Sequence, residues 1–291
     1  MSWRTVIISS RCKLDLKMGY MVVRGEEIHR IYLDEIALLM IENPSVSMTG
    51  NLLSALMERK VKVIFCDSSR SPQAELVPYY GCHDTSRKIA RQIAWPEEVI
   101  GRVWTEIVSE KIRKQASLLR SIDRSSEAGM LDRYATQMEF QDVTNREGHA
   151  AKVYFNALFG MEFTRSTPSP INAMLNYGYS ILLAAFNREI AADGYLTQIG
   201  LHHRNAFNQF NLSSDLMEPF RPLVDKVVYT AMPEEMTTQG KRMLYDLMNQ
   251  EISIAGYHQT ILNAISIYAK SVFSALNESD AGLIKFWDDE L

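Results

Sequence analysis

The hydrophobic pattern of the chain changes its period once, near residue 85. Before that point, short apolar and β-branched runs such as Ile28–Tyr32 and Ile36–Ile41 alternate with turn-forming residues, as expected of β-strands. Beyond it, apolar residues recur three and four positions apart, which is typical of amphipathic helices. The pattern predicts an α+β fold, in which a small N-terminal β-rich domain precedes a larger all-α-helical domain.

We expect four parts along the chain: a β-rich domain at 1–80, a linker at 81–90, a helical domain at 91–276 and an acidic tail at 277–291. The tail is predicted to be mobile, although Phe286 and Trp287 are apolar enough to dock on the protein. The predicted elements are strands at Trp3–Ile8, Met21–Val23, Ile28–Tyr32, Ile36–Ile41 and Val61–Cys66, a short helix after Thr49 or Asn51, a polar loop at Ser68–Pro72, and helices near 99–108, 127–140, 145–158, 170–193, 214–228, 238–249 and 257–276.

The cysteines and the apolar runs bear on where the protein works. Cys12, Cys66 and Cys82 are an odd, widely spaced set without a CxxC pair. They indicate neither a disulfide framework nor a zinc site, and they favour a reducing, cytoplasmic location. The N-terminus lacks the basic-then-apolar pattern of a signal peptide, and no run of about 18 apolar residues predicts a membrane helix.

The net charge does not by itself exclude a polyanionic partner. The formal charge is −4, but residues 277–291 hold five acidic residues and one lysine, so the rest of the chain sums to zero. Residues 86–124 hold nine basic and five acidic residues. A local basic patch matters more for a phosphate backbone than total charge does, although a solvated helix face has the same composition.

Residues able to do chemistry concentrate in two neighbouring segments. On a helix, Glu218 and Arg221 share a face because they are three positions apart. An imidazole and carboxylates that converge can bind a divalent metal, and arginines beside them can bind phosphate oxygens. A third group would complete such a site, and Glu147 is the best candidate. The two segments contain His202, His203, Arg204, Asp215, Glu218 and Arg221.

Each of these residues also has a purely structural interpretation. Thr144-x-x-Glu147 is the pattern of a capping box, in which the Glu147 carboxylate accepts from the Thr144 amide. Asp215 can be a first-turn acid that complements the helix dipole, and Arg221 can be the ion-pair partner of Glu218 or Asp225. Two adjacent histidines do not face the same point, so only one of them is expected at a site.

Other chemical motifs are absent from the sequence. It contains no P-loop, no GxSxG elbow, no HExxH and no GxGxxG after a strand. The residues favour a hard divalent metal held by carboxylates and one imidazole, near arginines. That combination suits phosphodiester chemistry.

Several segments together resemble one known family. They are Glu147 at an EG.A helix start, the G..H element at Gly200–His203, DLMEPFRPLVD at Asp215–Asp225, NLLSALMERKVKVIFCD at Asn51–Asp67, and the start Trp3-Arg4-Thr5-Val6. The chain resembles the CRISPR-associated spacer-acquisition endonucleases and integrases, the larger of the two universal adaptation subunits, in their type II branch. The resemblance spans nearly the whole chain, and the DLMEPFRP block is its most specific part.

The resemblance implies a metal-dependent DNA integrase of CRISPR adaptation. Such an enzyme inserts short foreign DNA fragments into a CRISPR array by attack of 3′-hydroxyl ends on phosphodiesters, and it also cuts branched DNA. The implied partners are the DNA fragment, the CRISPR leader-repeat, a second copy bound through the N-terminal domain, and a small ferredoxin-like subunit in a hetero-hexamer. The type II branch adds a ring-forming accessory protein that binds DNA ends and the RNA-guided effector nuclease. No membrane is implied.

The resemblance also assigns roles to residues. Glu147, His203 and Glu218 match the family's catalytic metal ligands, with Mg²⁺ or Mn²⁺ as the metal. Asp215 matches the preceding acid and is given a supporting role, but relatives differ in which of the two acids binds the metal. Arg204 and Arg221 are expected to contact phosphate. Candidates for contacting the DNA backbone are Arg87, Lys88, Arg91, Lys111, Arg113 and Lys114.

Two other functions stay open at the level of sequence. One is a stand-alone metal-dependent endonuclease that acts on branched DNA with the same residues. The other is a DNA-binding scaffold without catalytic activity.

Overall fold

The N-terminal part of the protein consists of two small β-sheets and one helix. The computed structural model describes residues 4–68, 72–76 and 84–288. One sheet has the order β1-β5-β7-β8, in which only β8 runs antiparallel to its neighbour, and the other has the order β4-β3-β2-β6. The strands are β1 (Arg4–Ile8), β2 (Lys13–Lys17), β3 (Tyr20–Arg24), β4 (Ile28–Tyr32), β5 (Ile36–Ile41), β6 (Ser47–Met48), β7 (Lys62–Cys66) and β8 (Pro72–Leu76).

The predicted strands agree with this region except at its edges. The predictions at 28–32 and 36–41 are confirmed at both ends, whereas Trp3 lies outside the described residues. Pro72 was assigned to a polar loop but begins β8, an edge strand, where a missing backbone N–H costs little. Thr49, one of the two proposed caps, accepts a hydrogen bond from the Leu52 amide at 3.3 Å.

Strand β5 connects the N-terminal part to the rest of the protein. All six of its residues are buried, so the strand is covered on both faces. Leu39 packs into the core between the sheets and the first helix, while Met40 packs into the core of the helical part. The two predicted domains therefore meet through a continuous apolar contact.

The rest of the chain is mainly helical and surrounds two long helices, α3 and α6. Both carry a broad buried face, as their apolar spacing predicts. No helix in the described part of the chain is long and apolar enough to cross a membrane. The helices are α1 (Gly50–Glu58), α2 (Thr85–Ile93), α3 (Glu97–Ser121), α4 (Ser125–Thr136), α5 (Arg146–Phe159), α6 (Pro170–Ala192), α7 (Asn211–Leu216), α8 (Arg221–Ala231), α9 (Thr238–Leu247) and α10 (Ile261–Glu278).

Two predicted helices extend too far at one end. The helix predicted from Tyr257 begins only at Ile261, since β9 (Glu251–Ile254) and β10 (Tyr257–Thr260) form an antiparallel hairpin. Ala255 and Gly256 turn the hairpin with positive φ angles. The helix predicted at 127–140 ends at Thr136. The C-terminal part is thus mainly, not wholly, helical.

The predicted linker and tail are both ordered where they are described. Helix α2 fills most of the predicted linker at 81–90, of which 81–83 lie outside the described residues. Helix α10 extends past Asn277 to Glu278, and the chain then packs back on the helices. The predicted docking of Trp287 is confirmed: it is 1% exposed, and its indole N–H donates to the Pro219 carbonyl at 3.0 Å.

Candidate active site

Glu218 lies in a break between two helices. Helix α7 ends at Leu216, a 3-10 turn covers Glu218–Phe220, and α8 begins at Arg221. The single helix predicted over 214–228 is therefore wrong. Pro219 and Pro222 each occupy the first turn of their own segment, where a missing amide donor costs nothing. The break leaves the Glu218 carboxylate inside the protein, 2% exposed, with Arg221 Nη2 at 2.9 Å from its Oε1.

Glu147 lies in the first turn of α5, and its carboxylate contacts Lys111. The capping box with Thr144 is not formed, since the Thr144 hydroxyl is buried without a hydrogen-bond partner among the described residues. Asp142 caps the helix instead, accepting from the Arg146 amide at 2.6 Å and the Glu147 amide at 2.9 Å. A carboxylate at a helix N-terminus is favoured by the exposed amides and by the helix dipole.

Asp215 organises the loop that carries His203. Its carboxylate is fully buried and accepts from the amides of Leu201 at 2.6 Å, His202 at 3.0 Å and His203 at 3.2 Å. It also contacts Nδ1 of His203 at 2.5 Å. This hydrogen bond raises the pKa of His203, while partial burial opposes the shift. With Nδ1 engaged, Nε2 is the ring nitrogen left for another partner.

Gly200 explains how close this loop can come to α7. A Cβ at this position would lie 2.5 Å from the His203 carbonyl oxygen and 2.7 Å from Asp215 Oδ2. Only a residue without a side chain fits there. The glycine of the G..H element is thus required by packing around Asp215.

Lys111 lies between the two glutamates. Its Nζ is 2.5 Å from Glu147 Oε1 and 2.5 Å from Glu218 Oε2, and its side chain is 10% exposed. Burial alone lowers the pKa of Lys111, but Glu218 and Glu147 outweigh it and the net shift is upward. Burial by itself would raise the pKa of Glu218, but the positive charges of Arg221 and Lys111 outweigh it, so the net shift is downward. In this structure the charge of Lys111 is used inside the protein, which does not favour its predicted contact with the DNA backbone.

The other histidine and the two arginines lie around this centre in different ways. His202 stacks on the buried Trp104, with ring centroids 4.5 Å apart and an angle of 5° between the planes. Arg221 lies with its guanidinium 4.7 Å from the Tyr179 ring centroid as well as beside Glu218. Arg204 is at the rim, 64% exposed, and donates to both oxygens of Glu97.

The proposed DNA contacts divide into exposed and buried residues. Arg113 is exposed and pairs with Glu110. Lys114 is 4% exposed in its side chain, and its Nζ contacts the Trp287 carbonyl and lies 4.3 Å from the Trp287 ring centroid. Its burial likewise does not favour the predicted contact with the DNA backbone. The remaining candidates lie on α2, where Arg87 and Lys88 pair with Asp84 and Arg91 is exposed.

Sequence reasoning missed the polar residues that support the site. Gln92 donates to the carbonyls of Leu196 and Ile199 and accepts from the Leu196 amide, which fixes the chain before Gly200. Gln92 gives only a weak signal in the sequence, because it is one polar residue among others in α2. Asp225 was noted only as an ion-pair partner, but it is buried and accepts from the hydroxyls of Tyr154 and Tyr179.

The donor atoms fit a divalent cation, with one condition. Carboxylates and imidazole are suitable ligands for Mg²⁺ or Mn²⁺, and an ammonium group already lies between the two carboxylates. Glu218 Oε2 is buried and lies 2.5 Å from Lys111 Nζ. Within the described residues, no three His, Cys, Asp or Glu side chains already form a ligand cluster. A metal bound by both glutamates would have to displace Lys111 from its position between them.

Comparisons with known proteins agree on one family. The sequence profile described as CRISPR associated protein Cas1 matches residues 5–248. Over 291 residues the chain is 33% identical to the CRISPR-associated endonuclease Cas1 of Neisseria meningitidis serogroup C (strain 8013), with 98% of this chain and 96% of that protein covered.

Solved structures share the fold at lower identity. A casposase bound to integration product has a TM-score of 0.77 and 17% identity, with 96% of this chain and 92% of that chain covered. A Cas6-RT-Cas1--Cas2 complex has a TM-score of 0.75 and 16% identity, with 99% of this chain but only 36% of that chain covered.

Proposed function

The chain belongs to the Cas1 family of CRISPR-associated proteins, and we propose that it is a metal-dependent DNA integrase of CRISPR adaptation. It joins the 3′-hydroxyl ends of a short DNA fragment to phosphodiesters of a CRISPR array by transesterification. The observation that carries the proposal is that Glu147 and Glu218, from two separate segments, both contact Lys111, while His203 lies close enough for both glutamates to raise its pKa.

Each residue has a task that follows from its contacts. Glu147, Glu218 and Nε2 of His203 hold Mg²⁺ or Mn²⁺, which as a Lewis acid stabilises charge on the scissile phosphate. Asp215 holds His203 through Nδ1, so that the other nitrogen points away from α7. Arg221 fixes Glu218 Oε1 and supplies a positive charge beside the phosphate. This arrangement supports Glu218 as the metal ligand and Asp215 as the residue that positions His203.

DNA and a small adaptation subunit are the partners that the comparisons support best. One neighbour is a casposase with its integration product and another is part of a Cas1–Cas2 complex. We assign to this chain a homodimer joined to a small ferredoxin-like subunit in a hetero-hexamer. The exposed Arg87, Arg91 and Arg113 follow the DNA backbone, since phosphate contacts position a duplex without reading its sequence. The type II accessory ring protein and effector nuclease complete the proposed set.

A strand-transfer assay tests the proposal. The protein, its small partner, a short duplex with free 3′-hydroxyls and a supercoiled plasmid bearing a leader and repeat are combined with Mn²⁺ or EDTA. We expect covalent joining with Mn²⁺ only, and His203→Ala should lower it at least about a hundredfold because a metal ligand is lost. His202→Ala is the matched control, since that ring contacts Trp104 and not Asp215.

The other possible functions predict different results. Metal-dependent cutting of branched DNA without joining indicates a stand-alone nuclease. DNA binding without either reaction indicates a scaffold. Full joining activity of the complex with His203→Ala also indicates a scaffold, and either result overturns the assignment of the site.

A further inference from the structure

Lys111 is a buried positive charge with little solvent around it to stabilise it. It comes from the middle of α3, and it reaches one glutamate on α5 and another in the turn before α8. Glu147 Oε1 and Glu218 Oε2 are at most about 5 Å apart, because each lies 2.5 Å from the same Lys111 nitrogen. Two carboxylates that close repel each other strongly when no cation lies between them.

The charges in contact at this point balance without a metal. Lys111 and Arg221 contribute two positive charges, and Glu147 and Glu218 contribute two negative ones. Adjacent charges also cancel: His203 pairs with Asp215, and Arg165 lies near Asp225. A divalent ion added to this balanced cluster would leave a positive excess in a poorly hydrated site, which is unfavourable.

We propose that Lys111 is an internal counter-cation that holds Glu147 and Glu218 together in the metal-free protein, and that it competes with the divalent metal for their oxygens. The inference rests on the proposed function, because it takes these residues as metal ligands. Binding of the metal would displace the ammonium from the carboxylates, and a phosphodiester would offset part of the excess positive charge. Metal and DNA therefore load together, and the isolated protein binds metal weakly.

A second buried lysine on the same helix separates this role from ordinary buried charge. Lys114 lies one turn further along α3 and is also almost inaccessible. Among the described residues it contacts Glu110 and the Trp287 carbonyl, whereas Lys111 contacts Glu147 and Glu218. Lys114→Met removes a buried lysine without changing the charge between the two ligands.

The test is a Mn²⁺ titration followed by electron paramagnetic resonance of free Mn²⁺, with and without a short DNA duplex. For the unmodified protein we expect the duplex to tighten Mn²⁺ binding at least about tenfold. Lys111→Met should tighten Mn²⁺ binding about tenfold without DNA and weaken the effect of the duplex. Lys114→Met should leave the Mn²⁺ affinity unchanged.

Thermal unfolding gives an independent readout. Lys111→Met should unfold at a lower temperature than the unmodified protein in EDTA and regain more stability on adding Mn²⁺. Lys111→Gln, which keeps a hydrogen-bond donor, serves the same titration should the Met variant not fold in EDTA.

Two outcomes contradict the inference in distinguishable ways. Unchanged or weaker Mn²⁺ binding in both Lys111 variants, with binding still abolished by His203→Ala, overturns the competition but leaves the metal site. An absence of any His203-dependent Mn²⁺ binding, with and without DNA, overturns the metal site and the inference together.

Discussion

Glu218 is bound by two cations that approach its two oxygens separately. Arg221, at the start of α8, contacts Oε1 of Glu218, and Lys111, on α3, contacts Oε2. Because the carboxylate is buried, removing either cation leaves a charge whose desolvation is poorly offset. At the scale of single residues, the site therefore depends as much on its lysine and arginine as on its acids.

Asp225 is a buried acid whose protonation is linked to stability. Burial raises its pKa from the ordinary 3.8 to about 6, although the hydroxyls of Tyr179 and Tyr154 and the charge of Arg221 oppose the shift. The folded protein thus binds this proton more tightly than the unfolded chain does. The stabilisation is present below the unfolded pKa and is lost as the pH rises through about 6.

Asp225→Asn should remove this part of the pH dependence. Between pH 4 and pH 7, the free energy of unfolding of the unmodified protein should fall by up to about 3 kcal/mol relative to the variant. Urea unfolding of both proteins at a series of pH values measures the difference. Parallel stability curves for the two proteins would show that Asp225 is ionised throughout.

At the scale of elements, the start of α5 determines where Glu147 points. The chain enters the helix through residues with positive φ at Gln141, Asp142 and Asn145, and this turn brings the Asp142 carboxylate below the first amides. Because Asp142 accepts from these amides, it caps the helix in place of the predicted box, and the Glu147 carboxylate contacts Lys111 instead.

Asp142→Ala should lower the free energy of unfolding by about 1 to 2 kcal/mol, because two first-turn amides lose their acceptor. Thr144→Val is the matched control: its hydroxyl makes no hydrogen bond to the described residues, so the change should be near zero. Chemical denaturation of both variants measures the costs. A larger loss in Thr144→Val than in Asp142→Ala would restore the capping box.

At the scale of the whole molecule, the C-terminal segment supports the break that carries Glu218. Trp287 pairs with Ile254 beside the β9–β10 hairpin, and its indole N–H donates to Pro219. Its carbonyl and ring receive Lys114 from α3. A segment that the sequence suggested as a mobile tail therefore joins the hairpin, α3 and the turn at Glu218.

Trp287→Ala should destabilise the protein by about 3 to 5 kcal/mol, through lost packing and an unsatisfied carbonyl at Pro219. Strand transfer should fall further than stability alone explains, since the turn next to Glu218 loses a hydrogen bond. Lys285→Ala, at an exposed side chain in the same segment, is the control for both measurements. Equal behaviour of the two variants would remove the segment from any role at the site.

The sequence alone determined the elements whose signal is local. The fully buried strand at Ile36–Ile41 shows as an unbroken apolar run, and the long helices show as a 3.6-residue period, because burial imposes both patterns directly on the chain. Residues 257–260 were misassigned because a four-residue strand is too short to show a period of its own. The family resemblance then identified Glu147, His203 and Glu218 together.

The tertiary structure alone decided which partners the buried charges have. On α3, the helical period places Lys111 and Lys114 on the buried side and Arg113 outside it, but it does not show what makes the burial of two lysines possible. Their partners are Glu147, Glu218 and Trp287, which come from segments between 36 and 173 positions away along the chain. Local spacing reports which face of a helix is apolar, but the partner of a buried charge is set by packing between distant segments.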